Sequence, residues 1–303
     1  MNTIRAYGQK ALAFLRRHRL VRIACIVLGV LLALSILLHP HGQKTFLVIG
    51  MDNYGSLDET GRSDVTMLMQ VDFTRSKISA VTFARDMFVE NEKGRLTKIN
   101  TIVRGKDEQA LCDAIEQNFG IPIDGWFRVN FTTVIELVDA IGGAEVELTS
   151  QEVNYLNKTV GLYPDSPLEE GKCRLNGAQA LAYARCRKLD NDLGRGERQG
   201  KLMAAMVKQT RRMNAANVAA VFSSLKHAWR SSYSAGEQAA LAFKALWLRG
   251  AKVNRIAVPF EGYWHYGNAG NSNGVVADLE QNRLMLLDAL GRPAPKPTPV
   301  PAQ

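Results

Sequence analysis

Between Leu181 and Gln199 the chain carries Arg185, Arg187, Arg195 and Arg198, with Lys188, Asp190 and Asp192 among them. A guanidinium offers a fork of donors that matches phosphate oxygens in pairs, so such a cluster points to an anionic ligand. Arg195, Arg198 and Gln199 are spaced three and four apart and share one face of a helix. Asn191-Asp192-Leu193-Gly194 reads as a turn into that helix, with Asp192 as candidate N-cap. Arg185 and Arg187 close a preceding helix that begins after Asn176-Gly177. Two helix ends therefore meet at a tight connection, and both bring guanidinium groups. The competing reading is a solvated charged face with local ion pairs, and partners elsewhere in the chain must decide between the two.

Candidate partners stand at strand ends. Lys44 to Met51 is an apolar run of strand length that stops at Asp52-Asn53-Tyr54-Gly55, and such polar turns after buried strands are where open sheets place ligands. Arg62-Ser63-Asp64 leads into a second strand, Val65 to Asp72. Phe73 to Ser76 is a hairpin connection to a third, Lys77 to Phe83, which runs into Ala84-Arg85-Asp86. If the first two strands are antiparallel neighbours, Asp52 and Asp64 fall at the same edge. A pair of carboxylates suits Mg²⁺, which takes one or two of them plus phosphate oxygens. Each aspartate taken singly also fits a turn or cap role.

The surrounding elements follow from periodicity. Asp107 to Phe119 and Thr132 to Ile141 have helical spacing, the latter stopped by Gly142-Gly143. Trp126 to Phe131 and Ala144 to Leu148 read as strands. Residues 150–176, turn-rich with Pro164, Pro167 and Gly171, read as a long surface excursion. Helical patterns continue over Lys201 to Met213, Ala215 to Trp229 and Gly236 to Leu248. Their Leu, Met and Phe positions are either core or the wall of an apolar slot for a lipid chain. Val253 to Pro259 is a returning strand and Tyr263 to Gly274 an aromatic loop placed to rim a sugar site. Asp278 to Leu290 is a closing helix, and 292–303 is a Pro-rich tail.

The net charge of +9 resembles a nucleic-acid signal until it is located. Arg5, Lys10, Arg16, Arg17, Arg19 and Arg22 precede the apolar stretch Ile23 to Leu38, and no acidic residue does. Without those six, 32 basic residues face 29 acidic ones, a balance of only +3. No groove-reading motif is present, and no nucleic-acid partner is expected. The run Ile23 to Leu38 has no charge and, with Leu20 and Val21, approaches the ~17–20 residues that span a bilayer. Basic residues before it place that end in the cytoplasm. Residues 1–20 thus read as a basic cytoplasmic tail and 21–38 as a transmembrane anchor, with the rest outside. A cleaved signal peptide ending near Ala33-Leu34-Ser35 is the competing reading. Four cysteines, Cys25, Cys112, Cys173 and Cys186, are too few for a disulfide scaffold, and any pairing among the last three stays open.

The ordered set of motifs resembles the LytR-CpsA-Psr family of cell-wall enzymes. It comprises Phe46-Leu-Val-Ile-Gly-Met-Asp52, Gly61-Arg-Ser-Asp64, Thr82-Phe-Ala-Arg-Asp86, Lys98-Ile-Asn100, Val138-Asp-Ala-Ile-Gly-Gly143, Leu175-Asn-Gly-Ala-Gln-Ala-Leu-Ala-Tyr-Ala-Arg185 and Asp192-Leu-Gly-Arg-Gly-Glu-Arg-Gln199. The likeness covers residues 44–215 well and the last third loosely. One departure is Ala84, where the family usually has proline. The resemblance implies an α/β/α sandwich with a mainly antiparallel central sheet over residues 44–291, extracytoplasmic behind one N-terminal transmembrane helix in the cell membrane. It implies a polyprenyl-pyrophosphate ligand with its lipid in an apolar tunnel, and Mg²⁺-assisted transfer of a lipid-linked glycopolymer to peptidoglycan. By the same likeness Asp52 and Asp64 hold the metal. Arg62, Arg85, Arg185, Arg187, Arg195 and Gln199 hold the pyrophosphate, and Arg85, Asp64 and Asp192 serve catalysis. The alternatives are a non-catalytic lipid-pyrophosphate binding protein and a pyrophosphate hydrolase using the same site.

Overall fold

The computed structural model describes residues 41–293 except 59–60, 104–106, 160–166, 187–188, 190–191, 226, 249 and 270–271; the side chains at 192–193, 215, 243 and 246 are likewise outside the description. The expected anchor and basic tail, residues 1–38, and the Pro-rich end from 294 lie outside the described residues. Among those described, no helix is long and apolar enough to cross a membrane.

Six strands form the central sheet: β1 (Gln43–Met51), β2 (Ser63–Asp72), β3 (Lys77–Phe83), β6 (Gly125–Val129), β9 (Arg230–Ser231) and β10 (Lys252–Val258), in the order β10-β3-β2-β1-β6-β9. The β1–β2, β2–β3 and β6–β9 pairs are antiparallel, while β10–β3 and β1–β6 are parallel. The sheet is therefore mixed, with three of its five pairs antiparallel. The two hairpin-linked pairs were visible in sequence. The parallel pairs were not, because they join strands far apart in the chain through helical crossovers.

Alternation along the strands assigns the two faces. On one face Leu47, Ile49, Leu68, Val81 and Phe83 pack against α2 (Glu108–Phe119) and α9 (Leu279–Ala289) through Leu111, Ile115, Leu286 and Leu287. Short α1 (Ile99–Ile102) closes that layer after the hairpin β4 (Phe88–Glu90) and β5 (Leu96–Lys98). The other face, with Met67, Met69, Val71 and Ile78, is covered by α6 (Asp192–Arg212), α7 (Ala215–Leu225), α8 (Ala235–Ala245) and α3 (Phe131–Ala140). This is an α/β/α sandwich.

Outside α6 lies a third cluster, in which Val138, Val146, Leu156, Leu175 and Tyr183 join α3 to β7 (Ala144–Leu148), α4 (Ser150–Thr159), β8 (Gly171–Leu175) and α5 (Gly177–Arg185). The reading of residues 150–176 as a surface excursion is thus corrected. Its first third is α4, anchored by Glu152 and Leu156, and its end is β8, paired antiparallel with β7. The polar composition reflects elements exposed on one side. Likewise the aromatic loop at 263–274 is a hairpin, β11 (Trp264–Ala269) with β12 (Ser272–Ala277), whose Val275 amide bonds the Asp86 carbonyl.

Local chemistry sets the helix ends that matter. Asn130 caps α3 with a reciprocal bond to Thr133, and Asn176 caps α5 with one to Gln179. α5 crosses α3 so closely that a Cβ on Gly177 would sit 2.3 Å from the Ile135 carbonyl, so only glycine fits there.

Candidate functional site

The sheet edge carrying the ends of β1 and β3 collects the acidic groups. β1 pairs with β2 up to Met51↔Ser63, with a bulge at Gly50/Met51. Asp52 follows that last pair and is exposed, while Asp64, one residue inside the other strand, is 9% exposed. Arg85, just beyond β3, donates from Nη1 to Asp64 Oδ1 at 3.1 Å. Arg85 is fixed from both sides. The Ala84 amide bonds the Val258 carbonyl at 2.7 Å, and the Arg85 carbonyl accepts from the Asn100 amide at 3.3 Å.

Arg185 is the last residue of α5, where a cation meets the negative end of the helix dipole. Its guanidinium lies 4.0 Å from the Phe131 ring, 3.5 Å from Asp52 Oδ1 and 3.5 Å from the Tyr54 hydroxyl. Tyr54 in turn meets Phe131 edge to face. The turn holding Asp52 is tied to the start of α3. The Phe131 amide donates to the Asn53 carbonyl, Asn130 Nδ2 to the Gly55 carbonyl and Thr132 Oγ1 to the Tyr54 carbonyl. These aromatic and amide contacts went unseen in sequence. Trp126–Phe131 alternates as a strand, and only the Asn130 cap before a helical pattern signals that Phe131 opens a helix instead.

The first turns of α6 hold the end of α5. Arg198, 3% exposed, donates to the Cys186 carbonyl at 2.8 Å and lies 3.9 Å from Glu152. Gln199 Nε2 reaches the Ala184 carbonyl at 3.4 Å. These two side chains satisfy carbonyls that the end of α5 leaves without helical partners, and so bind the two helix ends together. Arg195 is 3% exposed one turn before Gln199. Arg62 is exposed next to buried Ser63. Asp192 is the first residue of α6, and its side chain, like all of Arg187, lies outside the described residues. The structure therefore brings Asp64 to Arg85 and Asp52 to Arg185, and ties Gln199 of α6 to the Ala184 carbonyl one residue before Arg185.

Behind this cluster lies a cavity of about 400 Å³ whose wall is almost wholly apolar. Phe46 and Val48 of β1, Met69 of β2, Leu137 of α3, and Met203 and Val207 of α6 contribute to it. Leu202 and Ala205 are core, while Met203 and Val207 border the cavity.

Among the described residues no group of three or more His, Cys, Asp or Glu clusters as for a protein-only metal site. Cys112, Cys173 and Cys186 are free thiols. Burial, aided by Asp113 and Glu116, pushes the Cys112 thiol up to about 12, which keeps it an inert core group.

The LytR_cpsA_psr family model matches residues 30–282. The chain belongs to that family. Among LytR_cpsA_psr relatives, it is 30% identical over 186 residues to the Bacillus subtilis (strain 168) protein named polyisoprenyl-teichoic acid–peptidoglycan teichoic acid transferase TagV, which covers 58% of this chain and 46% of that protein. It is 33% identical over 161 residues to the Enterococcus faecalis transferase named TagU, covering 52% of this chain and 50% of that one. The chain thus spans about half the length of the curated relatives it matches. In fold it is similar to a structure of B. subtilis TagV (TM-score 0.66, 22% identity, 84% of this chain and 100% of that one). It is also similar to one of TagT with bound octaprenyl pyrophosphate lipid (TM-score 0.62, 18% identity, 82% and 90%).

Proposed function

We propose that this protein is a membrane-anchored phosphotransferase that moves a glycopolymer from polyprenyl pyrophosphate to peptidoglycan. One observation carries the reading. A single face of α6 presents Arg195 and Gln199, then Met203, Met206, Val207 and Thr210, and the last four border the apolar cavity. At 1.5 Å per residue Arg195 lies roughly 12–22 Å along the helix from the residues that border the cavity. That is the layout for an amphiphile with an anionic head and a long hydrocarbon tail. The transferase names of the curated relatives and the octaprenyl pyrophosphate in the related TagT structure support it.

In this reading Arg62, Arg85, Arg185, Arg187 and Arg195, with Gln199, grip the pyrophosphate. An acceptor sugar hydroxyl attacks the phosphorus that bears the glycopolymer. The new phosphodiester forms as the P–O bond to polyprenyl phosphate breaks and that group leaves. Negative charge grows on the equatorial and leaving oxygens, and the fixed guanidinium groups stabilise it. The hydroxyl proton passes to a carboxylate, Asp64 or Asp192. Arg85 keeps Asp64 oriented toward the site. The donor set at the edge, two carboxylates flanked by anion-binding groups, fits Mg²⁺ completed by water and phosphate oxygens. Asp52 and Asp64 would hold the ion, which supplies charge neutralisation for the phosphates.

The test uses the full-length chain in detergent with a polyprenyl-pyrophosphate-linked oligosaccharide, a peptidoglycan oligomer and Mg²⁺, with and without EDTA, followed by mass spectrometry. A metal-dependent phosphodiester conjugate supports the transferase. Free sugar phosphate formed equally without acceptor replaces it with hydrolysis, and tight binding without product replaces it with a binding role.

A further inference from the structure

α6 separates two different spaces. Its Met203, Met206, Val207 and Thr210 face the apolar cavity, whereas Lys201, Ala204 and Lys208 face polar clefts. At 100° per residue the centres of these two faces lie about 140° apart around the helix. The first cleft, about 450 Å³, runs between α6 and β10 and is bordered by Thr82, Lys201 and Arg255. The second, about 610 Å³, runs between α6 and β7 and reaches Glu147 and Glu170. Lys201 and Arg255 border both, so the two form one trough. Its near end is bordered by Gly196, the residue after Arg195, and by Thr82, three residues before Arg85.

The trough is graded in charge. Near the anion site Lys201 and Arg255 outnumber Glu197. The Arg255 stem lies along α6, its Cβ, Cγ and Cδ 3.8–3.9 Å from where a Cβ on Gly200 would stand. At the far end Glu145 is matched by Lys208 at 2.8 Å and Arg212 at 3.5 Å. Glu147, opposite Lys172 on β8, and Glu170 add carboxylates at that end.

We infer that this trough seats the acceptor: a glycan strand whose short peptide branches carry a carboxylate toward Lys201 and Arg255 and an amine toward Glu147 and Glu170. The inference rests on the transferase reading and deepens it. In-line displacement requires the attacking oxygen to approach phosphorus from the side opposite the leaving group. The lipid that leaves lies on the cavity side of α6, so an acceptor arriving along the opposite face meets that requirement.

The experiment measures two bindings to the full-length chain in detergent: a peptide-bearing muramyl glycan oligomer, and a fluorescent polyprenyl pyrophosphate. Both Lys201→Ala/Arg255→Ala and the charge-keeping Lys201→Arg are compared with the unaltered chain, and melting temperatures confirm folding. The double variant is expected to bind the peptide-bearing glycan about tenfold more weakly, the scale of two partly exposed charge contacts, with prenyl pyrophosphate binding within about twofold. Lys201→Arg is expected to retain glycan binding, and glycan stripped of its peptides to bind the unaltered chain as weakly as the double variant. Equal glycan affinity in all three proteins, or equal affinity for stripped glycan, overturns the trough assignment. Loss of prenyl pyrophosphate binding by the unaltered chain overturns the transferase reading instead.

Discussion

The amide of Ala84 donates to the carbonyl of Val258 at 2.7 Å, which carries the parallel β3–β10 pairing one residue past Phe83. A proline, usual at this place in the family, has no amide hydrogen to give. The chain thus positions Arg85 by a hydrogen bond where a ring would fix the backbone. Ala84→Pro should destabilise the protein by about 1 kcal/mol. The lost bond costs ~0.5–1.5 kcal/mol, the shape constraint at a site with a bonded N–H adds to that, and reduced unfolded-state entropy offsets part of it. Thermal unfolding should show a melting temperature lower by about 2–4 °C; an increase would mean that the ring substitutes fully for the bond.

Arg85 and Asp64 should be needed for turnover. Arg85→Ala removes a fixed cation from the developing charge and is expected to slow conjugate formation by ~10²–10³. Asp64→Asn keeps the shape while removing the charge, and should lower the rate with little change in polyprenyl pyrophosphate binding. Single-turnover rates at saturating donor check both, and an unchanged rate in either variant removes that residue from the catalytic set.

The cavity makes a prediction about chain length. Val48→Trp or Met203→Trp places bulk in a space lined by Phe46, Met69 and Leu137. Long polyprenyl pyrophosphates should then bind more weakly, since each buried methylene is worth about 0.8 kcal/mol, while a short-chain pyrophosphate that stays near the arginines should be affected little. Competition binding across a series of chain lengths reads this directly. Equal losses for short and long chains would place the lipid elsewhere.

Asp72 gives the acid limb of stability a defined contributor. Burial raises its carboxyl, but bonds from the Arg75 amide, Gln43 and the Arg75 side chain, with the Arg75 charge, outweigh burial and hold it below 3.8. A depressed folded value means that the stabilisation is present above pH 3.8 and is lost as pH falls through the folded value. Asp72→Asn should therefore flatten the loss of stability below about pH 4, seen in denaturant midpoints against pH; an unchanged acid limb would assign it to other groups.

Arg198 should behave as a brace. It and Glu152 have side chains 4% and 7% exposed, and Arg198→Ala leaves Glu152 buried without that cation and the Cys186 carbonyl without its donor. A loss of about 3 kcal/mol or more is expected, read as a lower melting temperature. At a temperature where the variant is folded, its acceptor KM should match that of the unaltered chain; a raised KM with normal stability would move Arg198 into the site.

Sequence by itself determined many of the local elements and named Asp52, Asp64, Arg85 and Arg185, which the fold pairs. Apolar runs of strand length and a hairpin turn marked β1, β2 and β3, and helical spacing marked the helices that Asp107, Asn176 and Asp278 cap, because both signals lie within a few residues of the structure they create. The order of the acidic and arginine motifs likewise sufficed to mark the edge where Asp64 meets Arg85. Tertiary structure alone decided what each face opposes. Periodicity says that Met203 is apolar and Arg198 lies three residues from Arg195, but not that one borders a cavity while the other turns inward to Cys186. The parallel β1–β6 and β10–β3 pairs, the α4–β8 layer in residues 150–176, and Phe131 beneath Arg185 were hidden for the same reason. Each depends on packing between segments distant in the chain, and no local spacing carries that information.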